Sequence, residues 1–168
     1  MQREITNYYR DVYKKEWNNG SSRVELIKEM IQGVFPLKDM AIEIGFMGTS
    51  NQEILIGNPK GHEKGEPDLL VKHKGKPLFN GEVTGSYVNL RNGELWLRPD
   101  KVQWARNHPN PQTWAFFVYK DKILRFCVND AYQYPIEQRK PNGIVERFHI
   151  IPQTHAFEFG KLRRWKEQ

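Results

Sequence analysis

Asp68 and Glu82 are the residues of this chain best suited to chemistry. They stand in Glu66-Pro67-Asp68-Leu69-Leu70-Val71 and Asn80-Gly81-Glu82-Val83-Thr84-Gly85, two β-rich runs separated by the polar segment His73-Lys74-Gly75-Lys76-Pro77. The Gly and Pro of that segment read as a hairpin turn. A turn centred on Gly75 sets Asp68 opposite Glu82, each seven residues from the centre. Cross-strand neighbours have Cβ atoms about 4.5–5.5 Å apart, and like charges facing each other are destabilising unless something neutralises them. A divalent cation is the obvious neutraliser. For Asp68 the structural alternative is a strand-start acid hydrogen-bonded to nearby backbone. For Glu82 that alternative is weaker, because Gly81, Val83 and Gly85 suggest a buried strand end, where an unpaired carboxylate is costly.

The pair needs elements to hold it. Residues 5–17, rich in Tyr and Lys, read as a short helix broken by Asn18-Asn19-Gly20. Ser22 and Glu25 have the spacing of a capping box, and Val24, Ile27, Met30, Ile31 and Val34 then recur at helical intervals before Gly33 and Pro36 close the element. Residues 40–47 alternate as a strand, with Ile42, Ile44 and Phe46 on one face and Glu43 on the other. A second short strand is expected over 53–57, and a Gly-, Lys- and Pro-rich loop over 58–65 leads into hairpin strands of about 67–73 and 78–84. Residues 87–97 read as irregular or extended. Pro99 suits the first position of a helix that runs through Trp104 and stops before Pro109. Residues 113–119 and 123–128 are strongly β-like around a Lys120-Asp121-Lys122 turn, and a further strand is expected around 145–151.

The chain has 168 residues, 27% charged, 38% hydrophobic and 12% aromatic, which fits one globular domain over 1–168 with a basic tail at about 160–168. A chain of this length buries roughly 70% of its unfolded surface, so a core is available without staples. The net charge of +6 favours a polyanionic partner. The single Cys127 excludes an intramolecular disulfide and sits in an apolar run as an inert thiol. No run approaches the roughly 18 apolar residues of a membrane span, and the polar start lacks a signal-peptide core. The expectation is an intracellular protein, cytoplasmic or nucleoid-associated, with no membrane contact. A phosphate loop GxxxxGK[ST], an HExxH helix and paired CxxC knuckles are all absent. His62, His73, His108, His149 and His155 lack metal-ligand spacing.

Pro67-Asp68, followed fourteen residues after the acid by Glu82-Val83-Thr84 on the next strand, resembles the PD-(D/E)XK nuclease superfamily, which includes restriction endonucleases and Holliday junction resolvases. With the order helix, strand, hairpin, helix, strand included, the resemblance covers about residues 22–128. It implies an α/β (α+β) fold with a restriction-endonuclease-like core, a mixed central sheet of about five strands flanked by helices. It also implies that Asp68, Glu82 and the backbone carbonyl of Val83 hold Mg²⁺ or Mn²⁺. Hard oxygen ligands suit such an ion, which lowers the pKa of an attacking water and stabilises the leaving oxygen of a phosphodiester.

The motif lysine two residues after the second acid is replaced by Thr84, which is neutral. Some family members supply a lysine from the following helix, and Lys101, in the first turn of the helix expected after Pro99, is the candidate here. A helix acid completes many family sites; Glu25 and Glu29 are the candidates, although both lie opposite the apolar stripe, and Glu43 is a further one. The resemblance implies a metal-dependent nuclease, acting endonucleolytically on DNA in preference to RNA, with a homodimer as the arrangement usual among family resolvases and restriction enzymes. Lys60, Lys64, Arg91, Arg98, Arg163 and Arg164, with Lys161 and Lys166, are candidate phosphate contacts. Tyr87, Trp96 and Trp104 are candidates to stack on bases, with core packing the safer reading of Trp104, and Gln103 could support the site. Thr84 motivates a second reading, a nucleic-acid-binding protein on the same fold without catalysis. A basic interaction protein with a coincidental Pro-Asp pair is the third.

Overall fold

The structure, a computed structural model, describes residues 20–34, 39–44, 65–85, 93–119, 122–140 and 143–159. The helix expected over 5–17, the strand over 53–57 and the basic tail lie outside them.

Helix α1, Gly20–Val34, begins two residues before the capping-box spacing predicts, which places Ser22 in its first turn. Val24, Leu26, Ile27, Met30 and Ile31 form its buried stripe, recurring at the 3.6-residue period. Strands β1 (Met40–Ile44), β2 (Leu69–His73) and β3 (Lys76–Gly85) form an antiparallel meander. β4 (Glu94–Leu97) and helix α2 (Pro99–Asn107) then carry the chain across to β5 (Thr113–Val118), which lies parallel to β3. β6 (Ile123–Cys127) returns antiparallel. A 3₁₀ helix (Val128–Gln133), β7 (Ile136–Arg139), β8 (Glu146–Pro152) and the two-residue β9 (Phe157–Glu158) follow.

The main sheet has the order β1-β2-β3-β5-β6-β9, and a second, antiparallel sheet has the order β4-β8-β7. This is an α/β (α+β) arrangement with a mixed central sheet, the class expected from the sequence. The expected five strands become six because Phe157 and Glu158 pair with the outer edge of β6. Residues 94–97, expected as irregular or extended, form an ordered strand against β8.

β5 explains the layering. Its residues alternate between two buried faces, as a central strand covered on both sides must. Phe116 and Val118 join Leu69, Val71, Val83 and the stripe of α1. Ala115 and Phe117 join Leu124, Phe126, Val102 and Ala105 of α2, and Leu95, Leu97 and Ile151 of the second sheet. Glu82 pairs with Ala115 and so lies on the α2 side.

The hairpin is tighter than expected. Lys74 (φ 51°) and Gly75 (φ 77°) alone make the turn, and two consecutive left-handed residues define the type I′ turn that suits a two-residue hairpin. Next to the turn Lys72 faces Pro77, but a bulge between Val71 and Lys72 shifts the register, so that Leu69 faces Gly81. Pro77, which has no N–H to donate, stands beside this irregularity. The bulge restores the register that a turn centred on Gly75 would have given.

Candidate active site

β2 stops at Leu69, while β3 continues to Gly85. Beyond Leu69 the flank of β3 is taken by the side chain of Asp68, whose Oδ2 accepts the Val83 N–H at 2.8 Å. An extended residue presents its N–H and C=O to the same side, so the Val83 carbonyl also faces the flank next to Asp68 rather than β5. Glu82, 7% exposed, projects toward α2. Its Oε1 lies 3.2 Å from Lys101 Nζ, and its Oε2 is buried with no hydrogen-bond partner among the described residues. Lys101 Nζ also donates to the Glu66 carbonyl at 3.2 Å.

Local sequence fixes that lysine. Pro99 starts α2, and Lys101 follows in its first turn. The strand-leading segment 65–67 lies against the same turn because Gly65, at φ +87°, has no Cβ; one added there would stand 2.3 Å from the Asp100 carbonyl oxygen. The other end of α2 is tied to β5 by Asn129. Its Nδ2 donates to the Ala105 carbonyl at 3.0 Å and its Oδ1 accepts the Thr113 N–H at 2.8 Å.

Burial dominates the electrostatics. It pushes the Glu82 carboxyl well above the ordinary range, and the facing Asp68 charge adds to the shift while Lys101 opposes it. Burial also raises the Asp68 carboxyl, against Lys101, the Val83 N–H, Arg23 and the adjoining Glu82 carboxyl. Arg23 in turn is lowered by burial and held up by Asp68 and Tyr119. The sequence reading missed Arg23. Its signal was there: Arg23 precedes Leu26, Ile27 and Met30 by three, four and seven residues, which makes it the charged head of the apolar stripe.

That stripe also sets where the two helix acids stand. Glu25 and Glu29 stand about 160° and 120° around the helix from Arg23, at 3.6 residues per turn, and neither figures among the charges acting on Asp68 or Glu82. Among the described residues no three His, Cys, Asp or Glu side chains cluster to hold a metal, so the helix does not bring the expected third acid to the pair. Glu43 is likewise elsewhere, paired with Lys72 at 2.8 Å on the exposed face of β1 and β2. Thr84 follows Glu82 by two on the same face of β3 and is half-buried.

Arg98, exposed, is held by Asp100 at 2.9 Å. Gln103 donates to Asn107 on the helix surface, the plainer of its two readings. Trp96 stacks on Phe148 with its Nε1 bonded to Glu94, and Trp104 stacks on His108 at 4.1 Å. Lys60, Lys64, Tyr87, Arg91, Lys161, Arg163, Arg164 and Lys166 lie outside the described residues. No helix among those residues is long and apolar enough to cross a membrane.

No protein family matches the chain, nor does any curated protein. Among solved structures the chain is similar to Hjc, a Holliday junction resolvase of Archaeoglobus fulgidus. Identity is 13%, over 81% of this chain and 90% of that one, with a TM-score of 0.44.

Proposed function

We propose that this chain is a metal-dependent nuclease that hydrolyses phosphodiester bonds, cutting DNA endonucleolytically with Mg²⁺ or Mn²⁺. One observation carries the reading. A buried carboxylate on β3 and a half-buried one just ahead of β2 lie together against a single lysine, and Glu82 Oε2 is left without a donor among the described residues. A buried, unsatisfied carboxylate oxygen is expensive, and proteins tolerate such groups chiefly where they have work to do.

The donor set fits the ion. Two carboxylates and a strand-edge carbonyl are hard oxygen ligands, and Mg²⁺ is commonly held by one or two carboxylates with water and phosphate filling its other positions. Asp68, Glu82 and the Val83 carbonyl would hold it, and when bound it would supply an activated water and stabilise the leaving oxygen. The Val83 N–H fixes the Asp68 carboxylate through one of its oxygens. Lys101 brings to Glu82 the positive charge that Thr84 cannot, and a lysine there can stabilise charge developing on the phosphate. The preference for DNA follows from the resemblance to the PD-(D/E)XK superfamily.

The test is incubation with linear, circular and branched DNA in Mg²⁺ or Mn²⁺, for the wild type and for Asp68→Asn, Glu82→Gln and Lys101→Ala. Loss of a metal ligand should cost about a hundred-fold or more in rate, and loss of the lysine about as much. Cutting at full rate in both acid variants overturns the proposal. DNA retained without cutting by the wild type favours the binding protein that Thr84 suggests.

A further inference from the structure

We infer that Lys101 competes with the divalent ion for Glu82, so that a single lysine couples metal loading to phosphate binding. The inference rests on the metal-dependent reading above and deepens it.

The geometry is specific. Lys101 Nζ stands 3.2 Å from Glu82 Oε1 and 3.2 Å from the Glu66 carbonyl, with its side chain only 15% exposed. Two of the three ammonium donors are thereby directed at fixed oxygens. The surrounding charges balance: Lys101 and Arg23 act on Asp68, Lys101 and Asp100 act on Glu82, and Asp100 is itself paired with Arg98 at 2.9 Å. A divalent ion therefore meets no surplus of negative charge among these groups. Mg–O contacts are about 2.0–2.1 Å, and an ammonium 3.2 Å from the same carboxylate repels a second cation there. Lys101 holds Oε1, so an ion taken up at the open Oε2 stands beside the ammonium and is weakened by it for as long as Lys101 stays in place.

It has somewhere to go. Its stem is flexible, and lysine serves phosphates as a movable point charge. A phosphodiester oxygen that draws the ammonium off Glu82 frees that carboxylate. By linkage, the phosphate then tightens the metal as much as the metal tightens the phosphate. Gly65 sets the resting position, because the close approach of segment 65–67 to α2 aims the Glu66 carbonyl at Nζ.

The experiment is a calorimetric titration of the full chain with Mn²⁺ alone, comparing the wild type with Lys101→Gln and Lys101→Arg. Lys101→Gln should bind at least about ten-fold tighter than the wild type, and Lys101→Arg no tighter. Equal affinity in the wild type and Lys101→Gln overturns the competition and leaves the metal reading standing. Absence of binding to both overturns the metal reading and the competition with it. A second measurement needs no variant. Amine acylation of the wild type, mapped by mass spectrometry, should rise several-fold at Lys101 when the Mn²⁺ concentration that saturates the calorimetric signal is added. Unchanged acylation at saturation overturns the inference.

Discussion

Replacing Glu82 by Gln tests the electrostatics of the pair without depending on activity. The amide nearly keeps the shape of the carboxyl and removes its titration. In the native protein two effects oppose each other. The Lys101 ion pair at 3.2 Å is worth about 5 kcal/mol at an effective dielectric of about 20. Against it stand the desolvation of a buried carboxylate, several kcal/mol in its own right, and the repulsion of Asp68. Desolvation and repulsion win, and the Glu82 carboxyl rises well above its ordinary range. In the unfolded chain it titrates at about 4.3. Below that value both states are protonated, and the wild type keeps the full contribution. Above it the native state holds a proton that the unfolded state has released, so stability falls as pH rises, by up to about 1.4 kcal/mol per pH unit, until the native value is passed. Glu82→Gln has no such loss, while the Asp68 carboxyl, also raised by burial, is present in both proteins. Urea melts of both proteins in chelator-treated buffer from pH 4 to pH 8 should therefore show the variant gaining on the wild type with rising pH. A wild type that gains on the variant would mean that Lys101 prevails and holds Glu82 ionised, and the reasoning would fail.

Two further substitutions probe how the site is positioned. Gly65→Ala puts a Cβ 2.3 Å from the Asp100 carbonyl at a φ of +87°; the left-handed backbone alone costs about 1–3 kcal/mol, so thermal melts should show at least that loss, and an unchanged midpoint would mean that segment 65–67 does not lie on α2. Asn129→Ala strands the Thr113 N–H, while the Ala105 carbonyl keeps the His108 N–H; at about 1–3 kcal/mol for one stranded buried group, chemical denaturation should register about that loss, and a cost below about 0.5 kcal/mol would show that the tie between α2 and β5 is dispensable.

Much of the scaffold was legible because its signals are local. Pro99 and Pro109 bracket α2, Pro99–Asn107, and the continuous apolar runs around Phe116 and Leu124 are β5 and β6, the only way such runs satisfy two buried faces. The hairpin was legible for a mixed reason. Gly75 marks the turn, but the facing of Asp68 and Glu82 depends on the bulge at Val71 and Lys72, of which Pro77 is the one local sign. What stayed hidden depends on contacts distant in sequence. β4 is a strand only because β8 pairs with it from more than fifty residues away. Glu25 and Glu29 were candidates by residue type, yet the rotation of α1 is set by the stripe of Val24, Ile27 and Ile31 packing on the sheet, and that rotation directs Arg23 toward Asp68 instead.

Thr84 and Lys101 show two routes by which a charge could be brought to Glu82. Alternation along β3 puts Thr84 on the face of Glu82, one full repeat further on, where a lysine would reach back along the strand. The crossover from β3 to β5 lays the first turn of α2 over that same face, so Lys101 arrives from above and reaches Glu82 at 3.2 Å. The two routes deliver an ammonium to one carboxylate, but they are held differently. A lysine on β3 would share the rigidity of a strand paired on both sides, whereas Lys101 depends on Gly65, on Pro99 and on Asn129 at the far end of its helix. Substitutions at those three positions should therefore disturb the chemistry of Glu82 from a distance, through the placement of one helix, as no change at position 84 could.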